Sequence, residues 1–233
     1  MPAQPSPLRP AELTAVQRVL YDALASGPRA DRSPFVLVQA DGSLTGPFDL
    51  MLRAPGVGSA LSQLGEAIRF GGTLSDRHRE LAILTVAAVR KSDYEWYAHE
   101  RVARGLGWPR DDLSAVARGD IPYFRDASDA VVVAFSRAAL AAPSPRARDG
   151  SAASGSTSSA QPRARGPSPD GGGAARGRAS RDKAVEALGE EAVVELTVLL
   201  GYYTTLALLL EAFDVGVPDG ETGPDWAAWQ GTG

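Results

Sequence analysis

The sequence predicts an all-α protein, a helical bundle. Apolar residues recur at helical spacing in one segment after another, and the segments are separated by Gly and Pro punctuation. A third observation is that extended character is confined to a brief stretch, Phe35 to Val38, inside a Gly/Pro-rich loop. With 44% hydrophobic and 22% charged residues, the chain has the apolar material for a packed core.

The elements follow in order. Pro10 to Ser26 carries Leu13, Val16, Gln17, Leu20, Tyr21 and Leu24 at helical spacing and is stopped by Gly27-Pro28. The segment 34–47 is read as a loop crossing the bundle. Phe48 to Arg53 and Gly56 to Phe70 are helical; Val57, Leu61, Leu64 and Ile68 form the expected inward stripe of the second, which ends at Gly71-Gly72. A helix capped by Ser75 or Asp76 follows, apolar on nearly every face from Leu81 to Val89 and therefore expected to be buried all round. After a break at Lys91 to Asp93, a second helix runs to about Gly107. Pro109 and Gly119 bracket a short helix. Asp126 to Ala142 forms another, with Ala130, Val133, Ala134 and Ala138 expected inward.

Composition then changes. Residues 143–180 contain no Val, Ile, Leu, Met or aromatic residue, so nothing in them offsets the entropy of ordering, and a disordered insertion is expected. Helix resumes at Arg181, breaks at Gly189 and continues from Glu190 to Phe213. The expected organisation is one helical domain over 10–142 with its core motif at 48–120, the insertion 143–180, C-terminal helices 181–216 completing the domain, and an irregular tail 217–233. Trp226 and Trp229 in the tail are spaced to dock on a surface.

Several classes are disfavoured. The chain has no cysteine, which excludes disulfides, thiolate metal ligation and dithiol redox chemistry within it. The net charge is −4, with no basic stripe outside 143–180, so nucleic acid is not an expected partner. The stretch Ala192 to Phe213 has the length of a membrane span, but Glu195, Glu211 and three threonines interrupt it, and a buried bundle helix is the better reading. MPAQPSPLRPAEL lacks the basic start and apolar run of a signal peptide. A cytoplasmic location is the expectation.

Chemistry concentrates in Leu74 to Gly107, LSDRHRELAILTVAAVRKSDYEWYAHERVARGLG. Glu80 shares the stripe of Ile83, Leu84 and Ala87, which aims its carboxylate at the core, where an unpaired charge is costly. Glu95 and His99 are four apart and share one helix face. A short connection would pack the two helices antiparallel and bring two carboxylates and an imidazole together as an acid/base site. From spacing alone, such a Glu-x-x-x-His is most often a structural hydrogen-bonded pair. One imidazole with two carboxylates is a poor zinc set, so no metal is expected.

RELAILTVAA, then YEWYAHERVARGLG, then Gly119-Asp120 resemble the carboxymuconolactone decarboxylase family, within the alkylhydroperoxidase D-like superfamily. The resemblance covers roughly 48–120 and, more loosely, the long C-terminal helix. It implies an alkylhydroperoxidase D-like bundle and a homo-oligomer, trimer or hexamer. Peroxidase members carry a Cys-x-x-Cys pair with a His four residues later and a Glu twelve residues before the first Cys. Laid on this chain, the His falls on His99, the Glu on Glu80, and the cysteines on Ser92 and Glu95, so the resemblance that remains is to the decarboxylase branch.

That resemblance implies a lyase acting on a small unsaturated lactone acid without a cofactor. His99 is the expected proton donor. Glu80 is its expected partner, fixing the tautomer and favouring the imidazolium, and Glu95 a second acid/base group. Tyr94 and Arg77 are the expected oxyanion and carboxylate contacts. The alternatives are a related proton-transfer enzyme, isomerase or dehydratase, on another small carbonyl compound, and a helical oligomer without catalysis. A peroxidase is disfavoured by the missing thiols.

Overall fold

The computed structural model describes residues 5–26, 35–141 and 171–229. After a short 3-10 turn at Pro10–Glu12, the described residues form ten helices: α1 Ala15–Ser26, α2 Pro47–Arg53, α3 Pro55–Phe70, α4 Asp76–Arg90, α5 Asp93–Gly105, α6 Arg110–Arg118, α7 Ala127–Ala141, α8 Gly171–Leu188, α9 Glu190–Ala212 and α10 Trp226–Trp229. Among the described residues the only β pairing is an isolated antiparallel bridge, Val38 with Leu44, inside the 35–46 loop. The all-α reading stands.

The bundle is built around α4. Every residue from Arg79 to Ala88 is buried, as an apolar helix without a polar face requires. Ser75 is the N-cap, its hydroxyl accepting from the His78 amide; Asp76 instead pairs with Arg79 at 2.6 Å. At the other end Lys91 adopts a left-handed conformation (φ 54°), which stops α4 and turns the chain sharply into α5. α5, α6, α7 and α9 all pack on α4, and one continuous core joins Leu81, Ile83 and Leu84 to Trp96, Val132, Leu196, Leu199 and Leu206.

Two inward stripes differ from the expected ones. On α3 the buried positions are Gly58, Ser62 and Gly65, whereas Val57 and Leu64 are exposed and Leu61 and Ile68 half-buried. The small residues win because α3 approaches its neighbours closely: a Cβ on Gly58 would sit 2.2 Å from the Met51 carbonyl oxygen. On α7 the inward face is Asp129, Val132, Val133, Phe135 and Ser136, with Ala130, Ala134 and Ala138 only half-buried. The bulkier residues carry more transfer free energy and take the core.

The expected insertion also ends earlier. Residues 142–170 lie outside the described residues, but 171–180 belong to α8, whose later turns place Ala184 in the core. The extension is carried by the packed end of α8, since the four glycines in 171–180 oppose helix and its alanines and arginines only partly offset them. α9 is long and apolar enough to cross a membrane by length and composition, yet half of its apolar window is buried in the bundle. In the tail, α10 sets Trp226 and Trp229 edge-on and tilted against buried Trp96, with centroids 5.4 and 5.0 Å away. Trp226 Nε1 also donates to Asp93 at 2.5 Å.

Candidate active site between α3, α4, α5 and α9

The α4–α5 turn brings Glu80 and His99 into direct contact: His99 Nδ1 lies 2.6 Å from Glu80 Oε2, and both side chains are at most 4% exposed. A carboxylate at this distance accepts the Nδ1 proton, which fixes the tautomer and leaves Nε2 for other chemistry. His99 Nε2 faces Glu95 Oε2 at 3.5 Å, one helical turn away on α5. The three polar side chains read from the sequence therefore form one buried cluster.

A cavity of about 20 Å³ opens beside His99. Its wall includes His99, Glu95, Arg69, Tyr203, Tyr94 and Phe35, and Glu80 is not among its lining residues. Glu80 thus orients from behind, while His99 and Glu95 face the hollow. A volume of this size holds about one water.

Arg69, from the last turn of α3, and Tyr203, from the middle of α9, were not picked out by sequence. The Arg69 guanidinium and the Tyr203 hydroxyl interact as neighbours on the cavity wall. Burial opposes the Arg69 charge, but Tyr203 and the Glu80 carboxylate outweigh it and hold the guanidinium above its ordinary pKa. Burial raises the Tyr203 phenol, and although Arg69 pulls the other way, the Glu80 and Glu95 carboxylates add to the rise. The Tyr203 ring also stands edge-on to His99, centroids 5.0 Å apart. The available signals were an arginine in the last turn of α3 and a Tyr-Tyr pair in an aliphatic run. Neither has a motif, and their meeting with His99 spans more than a hundred residues of chain.

Tyr94 lines the cavity with its ring, but its hydroxyl points elsewhere. It contacts Thr45 Oγ1 at 2.9 Å, and the single Thr45 hydroxyl proton is given to the Val36 carbonyl at 2.7 Å. Tyr94 must therefore donate to Thr45. Its phenolic proton ties down the 35–46 loop. Burial pushes the Tyr94 phenol up, more than the Thr45 contact lowers it. Gly46 packs flat on this ring with φ 58°; a Cβ there would lie 2.1 Å from Tyr94 Cζ.

Arg77 is not at this site. It stacks on Trp108 at 3.9 Å, donates to the Leu106 carbonyl at 3.1 Å and faces Asp129 at 3.7 Å, lining a separate surface hollow with His78 and Tyr123. The cause is axial position and partners rather than helical phase: Arg77 lies nearly a turn before Glu80, at the N-terminal end of α4, where Trp108, the Leu106 carbonyl and Asp129 hold its long side chain. His78, beside it, pairs with Ser128 and Asp129. Among the described residues no group of three or more His, Asp or Glu is arranged to hold a metal ion.

The all-α bundle thus places a Glu-oriented imidazole, a second carboxylate and a half-buried arginine around one cavity, groups of the kind that general acid/base chemistry uses. Residues 55–142 match the model of the carboxymuconolactone decarboxylase family, so this segment carries that family's domain. The matched span holds Arg69, Glu80, Tyr94, Glu95 and His99, and excludes Tyr203 and the 35–46 loop. No curated protein matches the chain.

Proposed function

We propose that the protein is a carboxymuconolactone decarboxylase-like lyase that removes carbon dioxide from a small unsaturated lactone acid by acid/base chemistry. The observation carrying this reading is the 2.6 Å Glu80–His99 contact beside a cavity lined by His99 and Glu95. Loss of the carboxylate sends the C–C bonding pair into the conjugated carbonyl as an enolate. His99 Nε2 then delivers a proton to carbon, the carbonyl re-forms, and solvent reprotonates the imidazole. Glu95 stands where it passes that proton to Nε2. No bound cofactor enters this scheme.

Ligand cavities generally run to roughly 300–1,000 Å³, so a substrate must displace part of this wall. Phe35, on the loop held by Thr45 and Tyr94, is the cover nearest the chain surface and the side chain we assign to that movement. A purely structural role gives no reason for two carboxylates, an imidazole and a guanidinium to share one dry site, since buried charges of this kind add little net stability. Thiol peroxidase chemistry has no residue to perform it, because Ser92 and Glu95 occupy the cysteine positions.

The same site supports a runner-up reaction, isomerisation or dehydration through an enolate, on another small carbonyl compound. Supplying 4-carboxymuconolactone and following carbon dioxide release separates the two. Release that is abolished in His99→Gln supports the lyase; release that survives His99→Gln refutes the assignment. A panel of β-keto acids and enone isomers identifies the runner-up.

We further propose that the active form is a homo-oligomer, trimer or hexamer. Val194, Val198 and Leu208 lie exposed along one stripe of α9, interrupted only by Gly201 and Thr205, and Val57, Leu64 and Phe70 are exposed on neighbouring α3. Such a surface fits a second copy of the chain better than water.

A further inference from the structure

The proposed chemistry, in either of its forms, passes through an enolate, and the negative charge on its oxygen has to be received somewhere. The expected donors, Tyr94 and Arg77, do not serve: the first gives its proton to Thr45 and the second lies in another hollow. The cavity wall offers two others. Arg69 is the one cationic Lys or Arg side chain lining this cavity among the described residues, and Tyr203 meets both Arg69 and the His99 ring.

We propose that the Arg69 guanidinium and the Tyr203 hydroxyl together form the oxyanion-holding face of the site, receiving the enolate oxygen of a small conjugated carbonyl substrate. This rests on the acid/base reading of the site but not on decarboxylation in particular.

The geometry divides the labour. Accepting from Arg69, the Tyr203 oxygen keeps its own proton to donate into the cavity, and the guanidinium retains further N–H donors in its planar fork. Burial and the nearby carboxylates hold the phenol protonated, the state a donor needs. The His99 ring stands at the edge of the Tyr203 ring, so an oxygen held on this face leaves the adjoining carbon facing His99. Charge is consistent as well. With His99 as imidazolium, two cations and the carboxylates of Glu80 and Glu95 cancel, and the enolate forms as His99 is about to surrender its proton. The oxygen's charge is thus met by a fixed cation and a fixed dipole in a site with little water, where such donors are most effective.

The balance is complete without an external reagent. The breaking bond, to carbon dioxide in the lyase or to a proton taken by Glu95 in the isomerase, gives its electron pair to the carbonyl. Arg69 and Tyr203 hold the resulting oxyanion. His99 protonates carbon, and the pair returns to the carbonyl.

The test uses 4-nitrophenol, whose ionised form mimics an enolate and absorbs separately from its neutral form. Bound to the full-length wild type, it is expected to ionise about 1–3 pH units below the free probe, as an opposite charge at contact distance produces. Arg69→Gln should remove most of that displacement, while Arg69→Lys and Tyr203→Phe each remove part. On a turned-over substrate, Arg69→Gln should lower kcat about 10²–10³-fold with a much smaller change in KM. Circular dichroism and the Lys and Phe variants guard against loss of fold: should Arg69→Gln fail to fold, the graded response of the other two decides. Failure of the wild type to bind the probe, ionisation at the free-probe pH or above, or an undiminished displacement in folded Arg69→Gln or in both other variants would overturn the assignment. If the displacement is seen but 4-carboxymuconolactone releases no carbon dioxide, the lyase reading falls and the oxyanion face stands.

Discussion

His99 Nδ1 and Glu80 Oε2 meet 2.6 Å apart, brought together from α4 and α5 by the Lys91–Ser92 turn. Replacing Glu80 by Gln keeps the shape of the contact but offers an amide in place of a carboxylate, so the Nδ1–H tautomer loses its charge-assisted partner. The expected result is a fall in kcat of about 10²–10⁴-fold with the far-ultraviolet spectrum unchanged. Steady-state kinetics on purified Glu80→Gln checks it; wild-type turnover would remove Glu80 from the mechanism.

Tyr94 contributes a wall and a tether rather than a proton. Tyr94→Phe should cost about 0.5–1.5 kcal/mol of stability, the net worth of one hydrogen bond, while kcat stays within a few-fold of wild type. Urea unfolding and initial rates give both numbers. A collapse of kcat without loss of stability would restore Tyr94 to the chemistry.

Gly46 is held against the Tyr94 ring at a positive φ, and no side chain fits there. Gly46→Ala should destabilise the protein by at least about 1–3 kcal/mol from overpacking alone. Its urea midpoint, compared with that of Gly56→Ala, where nothing lies within 4 Å of the added Cβ, isolates the contact from the general glycine effect.

Glu195 on α9 ties down the α3–α4 junction, accepting the Thr73 amide at 2.8 Å and the Leu74 amide at 3.0 Å. Burial alone would raise its pKa, but these amide donors outweigh burial and hold the carboxyl below its usual 4.5. A depressed folded-state pKa contributes stability above the unfolded value that disappears as pH falls through the folded one. Glu195→Ala should therefore cost about 1–3 kcal/mol at neutral pH, and the gap to wild type should narrow once pH drops below about 4.5. Denaturation curves at pH 7 and at successively lower pH test the sign; a gap that widens in acid contradicts it.

The exposed α9 stripe predicts a single-residue effect on assembly. Val198→Asp should lower the oligomeric mass seen by light scattering without unfolding the subunit, because a carboxylate cannot be desolvated unpaired at such a contact. A wild type that is monomeric at micromolar concentration would end the proposal.

Much of the organisation was legible in the chain. The burial of α4 followed from a run with no polar face, the break at Lys91 and Ser92 from its polar residues, and the convergence of Glu80, Glu95 and His99 from helical periodicity with a short turn. These are local facts, fixed by residues within about one helical hairpin. The inward faces of α3 and α7 were misread because apolarity was weighed alone. On α3 close backbone approach favours Gly58, Ser62 and Gly65, and on α7 volume favours Val132 and Phe135 over alanines.

By itself, then, the sequence determined the helical class and the polar centre of the α4–α5 hairpin, since periodicity and capping act over a few turns. Only the tertiary structure decided what faces that centre. Arg69 and Tyr203 arrive from α3 and α9, Tyr94 spends its proton on Thr45, and Arg77 is drawn away to Trp108 and Asp129. Side chains of this length choose partners by which distant helix lies beside them, and that choice has no periodic trace in the chain.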